Sequence, residues 1–145
     1  MILPQQFRAK TAALAATTAI VALAAAGVLA AQEKAKPQRP KISLRSSPMM
    51  AFVPATITFT AELREGDDDY EEYYCASVEW DWADGTRSES SDDCEPYEAG
   101  KSEIRRRYTI QHKYNIDGVY DVQFRLKQRG KTVASARSKV TVRPR

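Results

Sequence analysis

The chain has 145 residues, with 22 Lys and Arg against 19 Asp and Glu, one histidine, two cysteines and a formal net charge of +3. One domain is the expectation at this length, which is too short for a two-domain enzyme with an interdomain cleft. A single histidine and two cysteines exclude a zinc centre rich in either residue, although carboxylate chemistry stays open.

Residues 1–31 differ in kind from the rest. They hold Arg8 and Lys10, no acid, and an uncharged run of 21 residues from Thr11 to Ala31. A positive head followed by an apolar stretch ending in small residues has the layout of an export signal, with cleavage after Ala30 or Ala31. An uncleaved membrane anchor is the alternative, because about 20 residues suffice to span a bilayer. Either way the remainder is expected outside the cytoplasm, secreted, periplasmic or in the cell envelope, and tethered by residues 11–31 if the anchor is kept. Residues 32–41 (QEKAKPQRPK) are polar with two prolines and read as a linker, leaving residues 42–145 to fold.

From Ile42 onward, apolar and polar residues alternate and no helical period persists, so the domain is expected to be all-β. Ile42 to Leu44 is a short first strand. In Thr56 to Leu63, Ile57, Phe59, Ala61 and Leu63 share one face; in Ser77 to Trp82, Val78, Trp80 and Trp82 do so. Tyr108, Ile110 and His112 share a parity, as do Tyr120, Val122, Phe124 and Leu126, and Val140 and Val142 close the pattern. About seven strands of this kind predict a two-layer sandwich burying Phe59, Trp80, Tyr120, Val122 and Phe124.

Trp80-Asp81-Trp82-Ala83-Asp84-Gly85 resembles the Trp-Asp-Phe-Gly-Asp-Gly signature of the polycystic kidney disease (PKD) domain family. The run from His112 through Tyr114, Gly118 and Tyr120 to Leu126 resembles that family's second signature, and Pro54, Ile57, Phe59 and Ala61 resemble its second strand. This chain departs from the pattern at Trp82, at Ala83 and in a long acidic insert carrying cysteines. The resemblance implies an immunoglobulin-like sandwich with a non-catalytic, extracellular role in adhesion, spacing or substrate binding. Physically, Trp80 is a plug between two sheets, and Asp84-Gly85 reverses the chain because glycine accepts positive φ.

Cys75 and Cys94 lie symmetrically about Asp84-Gly85, so a hairpin turning there brings them together. An exported chain with two cysteines is then expected to form a disulfide, on the side away from the core. Charge is strongly partitioned: 61–100 carries 15 acids against 2 bases, and 101–145 carries 13 bases against 3 acids. One reading pairs Glu79 and Asp81 with Arg125 and Lys127 across an outer sheet face. The other is an acidic loop surface at one end that meets a basic partner.

Asp67, Asp68 and Asp69 are weak calcium candidates, because their contiguous spacing is not that of an ordered calcium loop. The same aspartates, with Tyr70, Tyr73, Tyr74 and Tyr97, form the candidate partner-binding surface; packing against the disulfide is the plainer role for the tyrosines. Crowding of acids predicts that replacing the three aspartates with Asn stabilises the free domain. Arg105-Arg106-Arg107 lacks any nucleic-acid module around it, and no nucleophile motif accompanies His112, which is read as a hydrogen-bonded structural residue. The expectation is a non-enzymatic, cofactor-free binding or adhesion module meeting a protein or polysaccharide of the cell envelope, and no nucleic acid. A membrane-anchored structural subunit and a carbohydrate-binding module are the alternatives.

Overall fold

The computed structural model describes residues 35–145, so the expected leader or anchor lies outside the described residues. Eight strands follow in chain order: β1 (Lys41–Ser47), β2 (Met50–Phe52), β3 (Ala55–Arg64), β4 (Ser77–Asp81), β5 (Arg87–Ser90), β6 (Arg107–Tyr114), β7 (Gly118–Gln128) and β8 (Lys131–Arg143). They form a three-stranded sheet in the order β1-β3-β6 and a five-stranded sheet in the order β2-β8-β7-β4-β5. All pairings are antiparallel except β2 with β8. This strand order is that of an immunoglobulin-like sandwich, with β4, β7 and β8 as the neighbours that such domains pair in one sheet.

Alternation in the sequence explains the layering. On β3, Ile57, Phe59, Ala61 and Leu63 are at most 3% exposed while the threonines between them face outward. Opposite them lie Val78 and Trp80 of β4, Val122, Phe124 and Leu126 of β7, and Val140 and Val142 of β8, all buried. Each such side chain contributes roughly 1.5–3 kcal/mol when fully buried. The expected core set of Phe59, Trp80, Tyr120, Val122 and Phe124 is buried throughout. Tyr120 also donates through its hydroxyl to the Ile116 carbonyl (2.8 Å), fastening the β6–β7 corner in the manner of a tyrosine corner.

Two strands escaped the alternation. β2 is three residues long between Pro48 and Pro54, and β5 (RSES) has no apolar residue to mark a face. The segment just before β1 also differs from expectation. Residues 38–40 are docked, with Pro40 buried, rather than part of a free linker. The Asp67 amide donates to the Gln38 carbonyl (2.9 Å), and Arg39 Nε donates to the Tyr73 hydroxyl (2.7 Å).

Gly66 makes this docking possible, since its φ is +61° and a Cβ there would lie 2.5 Å from the Pro40 nitrogen and 2.7 Å from the Gln38 oxygen. Both obstacles are backbone. Gly66→Ala is therefore expected to lower stability by about 1–3 kcal/mol, through left-handed strain and displacement of residues 38–40 together. Urea unfolding would measure the loss, and faster proteolysis before β1 would report the undocking.

Candidate functional site

The β4–β5 hairpin turns on Asp84. Its register pairs Asp81 with Arg87, and the Trp82 amide reaches the Thr86 carbonyl (3.2 Å), leaving Ala83, Asp84 and Gly85 as the loop. Gly85 takes φ +88°, as the sequence required, and Ala83 sits at +61°. Because the centre is Asp84, Cys75 and Cys94 lie one residue out of register. The ladder ends at the Val78–Ser90 pair, before either cysteine is reached. They are nonetheless joined, with a Cα separation of 6.1 Å, and Cys94 is exposed, so the bond sits off the core as expected.

The disulfide gathers both acidic segments, 65–74 and 92–98, at the end of the sandwich where β3 finishes and β4 begins. The three aspartates do not converge there. Asp67 accepts from the Gln38 amide, Asp68 from Arg106 Nε, and Asp69 from the Tyr97 hydroxyl and the Gly100 amide (2.7 Å). Among the described residues, no three His, Cys, Asp or Glu side chains are placed to hold a metal ion.

Arg106 was not anticipated as a site residue. Besides Asp68, it donates to the Glu65 carbonyl (2.8 Å) and the Gly66 carbonyl (3.1 Å), bracing the loop after β3 from the start of the neighbouring strand β6 in the same sheet. Arg105 approaches Asp92 (3.4 Å) and Arg107 pairs with Glu62 (2.9 Å). The basic run is thus spent on neighbouring acids. Its partners are distant in sequence, and only the opposed charge blocks signalled them.

Of the four loop tyrosines, Tyr73 is 1% exposed and belongs to the core, so it is unavailable to a partner in this fold. Tyr70 packs edge-on against it at 4.9 Å, and Tyr74 and Tyr97 meet at 5.6 Å with a 58° tilt. The Tyr74 hydroxyl donates to the Glu95 carbonyl (2.9 Å). Its hydrogen bond to Asp69 pushes the Tyr97 hydroxyl up to about 12. Between these segments an open groove of about 410 Å³ is lined by Tyr74, Glu95, Pro96, Glu98, Lys101, Ser102 and Glu103. Lys101 is paired with Glu98 (2.6 Å), whereas Glu95 and Glu103 have no ion-pair partner among the described residues.

At the opposite end, the family-like motif residues converge. His112 stacks on Trp82 at 4.3 Å with planes 4° apart, and its Nε2 is 2.8 Å from Asp84 Oδ2. Tyr114 donates to the Trp82 carbonyl (3.0 Å), and the Trp82 indole donates to the Ser88 hydroxyl (2.9 Å). Burial pushes the Asp84 carboxyl up, but hydrogen bonds from Thr86 and His112 outweigh it and hold the group below the usual carboxylate range. His112 is thus the structural histidine expected.

The outer sheet face bears out the cross-strand charge pairing. Glu79, 6% exposed, is held by Arg125 and by Lys127 Nζ (2.8 Å), and Arg125 also approaches Asp81 (3.8 Å). Lys127 first, then Arg125, hold the Glu79 carboxyl down at about 2.

Comparison with known proteins returns likenesses of fold. No family model and no curated protein matches the chain. Among solved structures, the PKD domain of an M14-like peptidase from a Thermoplasmatales archaeon superposes with a TM-score of 0.47 and 15% identity, over 74% of this chain and 95% of that one. A CARDB domain from Pyrococcus furiosus, solved in complex with di-metal ions, gives 0.49 and 11%, over 74% and 97%. The strand order and the placement of the two signatures fit a PKD-like, immunoglobulin-type sandwich.

Two outcomes follow for this surface. Because Asp67, Asp68 and Asp69 each accept a bond that holds the loops, their joint replacement by Asn is expected to lower the melting temperature, by several degrees, the reverse of the crowding argument. Calorimetry on the triple variant checks it. Glu79 has a depressed folded pKa, so its contribution is full above the unfolded value near 4.5 and is lost as pH falls toward 2. Glu79→Gln should cost about 2 kcal/mol at pH 7 and flatten the stability profile below pH 4.5, measured by urea titration at several pH values.

Proposed function

We propose that the chain is an exported, non-catalytic binding module whose acidic loop end contacts a basic protein of the cell envelope. Export rests on the leader-like run of residues 11–31 and on the Cys75–Cys94 bond, which suits an oxidising compartment. The observation that carries the contact is the set of exposed carboxylates on Glu71, Asp93, Glu95 and Glu103, which have no ion-pair partner among the described residues. Three of them come from the acidic segments and the fourth from the wall of the groove.

A basic side chain entering that groove meets Glu95 and Glu103 as charge partners, with Tyr74 and Pro96 supplying apolar contact. Buried or paired acids have no such capacity left. Asp67, Asp68 and Asp69, bonded within the loops, therefore shape the surface, and Glu71, Asp93, Glu95 and Glu103 meet the partner. Sugar stacking is served less well, since Tyr70 packs edge-on against Tyr73 and Tyr74 is tilted against Tyr97, rather than presenting one open platform.

The test is in-cell crosslinking in the native host, comparing the wild-type chain with a variant changing Glu71, Asp93, Glu95 and Glu103 to Lys. A basic envelope protein should crosslink to the wild type and be lost from the variant, whose melting temperature stays within a few degrees. Unchanged crosslinking by the folded variant would refute the assignment. Mass analysis of the same material should find Ala31 or Gln32 at the N-terminus; an intact Met1 in the membrane fraction would replace secretion with anchoring.

A further inference from the structure

All the large hydrophobic side chains that stand out as exposed in the described domain sit toward one end, away from the acidic loops. They are Met49 (70%), Met50 (51%), Phe52 (57%), Ile116 (72%) and Val119 (63%). The register shows how they are assembled. Met50, Thr141 and Val119 form one cross-strand row over β2, β8 and β7, and Phe52 lies beside Arg143 two positions further along. These side chains share the outer face of the five-stranded sheet, because paired residues point to the same side. Ile116 stands on the adjoining β6–β7 turn, and Met49 precedes the edge strand β2.

Bases are interleaved with this apolar set. Lys139 and Arg143 flank Thr141 on the same face of β8, and Lys113 lies beside the turn that carries Ile116; all three are exposed and enter no ion pair among the described residues. Nearby acids are few. Asp121 is engaged by Arg137 (3.4 Å) and Asp84 by His112 (2.8 Å), leaving Asp117 on the turn.

From this juxtaposition we propose that this end of the sandwich docks on an anionic lipid surface. Apolar side chains enter the boundary between headgroups and acyl chains while Lys113, Lys139 and Arg143 meet lipid phosphates. The charge sign selects anionic over neutral lipid. The apolar groups project from a sheet face, an edge strand and a turn, so they suit a deformable surface better than a single flat protein partner. Met49 and Met50 are flexible enough to adjust to it. The surface is separate from the acidic groove, which lies at the other end, so a lipid contact and a basic protein contact leave one another free.

A fluorophore sensitive to polarity, attached at Val119→Cys in the full chain with the native disulfide intact, reads this contact directly. Lys131→Cys, at the far end of the β7–β8 hairpin, is the control. Vesicles of one part phosphatidylglycerol to three parts phosphatidylcholine, carrying a nitroxide lipid quencher, are added in excess. The label at position 119 should brighten and be quenched at least about threefold more than the label at 131. Adding Lys139→Glu and Arg143→Glu should weaken the vesicle dependence at least about 25-fold, as expected for removing two cations from an anionic surface.

Equal quenching at the two positions would overturn the proposal. Equal signals with pure phosphatidylcholine vesicles would also do so, because they would make the contact one of apolar adsorption alone. Brightening before vesicles are added would assign the face to a second copy of the chain instead.

Discussion

Three parallel rings hold the two sheets at their spacing. Trp80 of β4 stacks on Trp82 with planes 4° apart, and Trp82 stacks in turn on His112, which belongs to β6 in the facing sheet. The stack is closed by polar contacts at its His112 end, where Asp84 receives His112 and the Thr86 amide. A hairpin loop of three residues is thereby tied to the opposite sheet by one carboxylate. Tyr114 and Tyr120 extend the aromatic wall, and the Tyr120 hydroxyl fixes the β6–β7 turn below it. The residues that resemble a family signature thus do one job together: they weld a loop, a turn and two sheets at a single end.

With that end fixed, the other end is free to carry a long insert. The segments between β3 and β4 and between β5 and β6 bury little of their length, with only Tyr73, Ala76 and Ile104 entering the core. They are held by the Cys75–Cys94 bond, by Arg106 across the backbone of residues 65–66, and by Tyr73 inserted into the core. The division is physical: a packed aromatic end supplies rigidity, and a polar, covalently stapled end supplies exposed carboxylates. Charge that looked dipolar along the chain is largely consumed by local pairing, so what remains available for recognition is a small set of unpaired groups at each end.

The legibility of the sequence followed the strength of the alternation. β3, β4, β6 and β7 each bury alternate large side chains, and their faces were readable without any partner strand being known. β5 carries only Arg, Ser and Glu, and β2 is a three-residue edge strand, so neither has a period to detect. The disulfide was legible because two cysteines leave one pairing, but the loop centre fell on Asp84 rather than beside it. The fate of the aspartates was not legible. Whether Asp68 repels its neighbours or bonds Arg106 depends on a contact between residues 38 positions apart, and no local pattern encodes it.

The docking of residues 38–40 against Gly66 has a mechanical consequence. It places the point where the chain joins β1 at the acidic end, while β8 runs out at the other end beside β2 and the start of β7. A force applied between these two points runs along the strands, not across them. Hydrogen bonds along β1 and β3, and along β7 and β8, must then slide together rather than unzip in succession. Pulled in this way the sandwich would lengthen little before the strands slip, and the Cys75–Cys94 bond would keep the 18 residues between the cysteines from being drawn out.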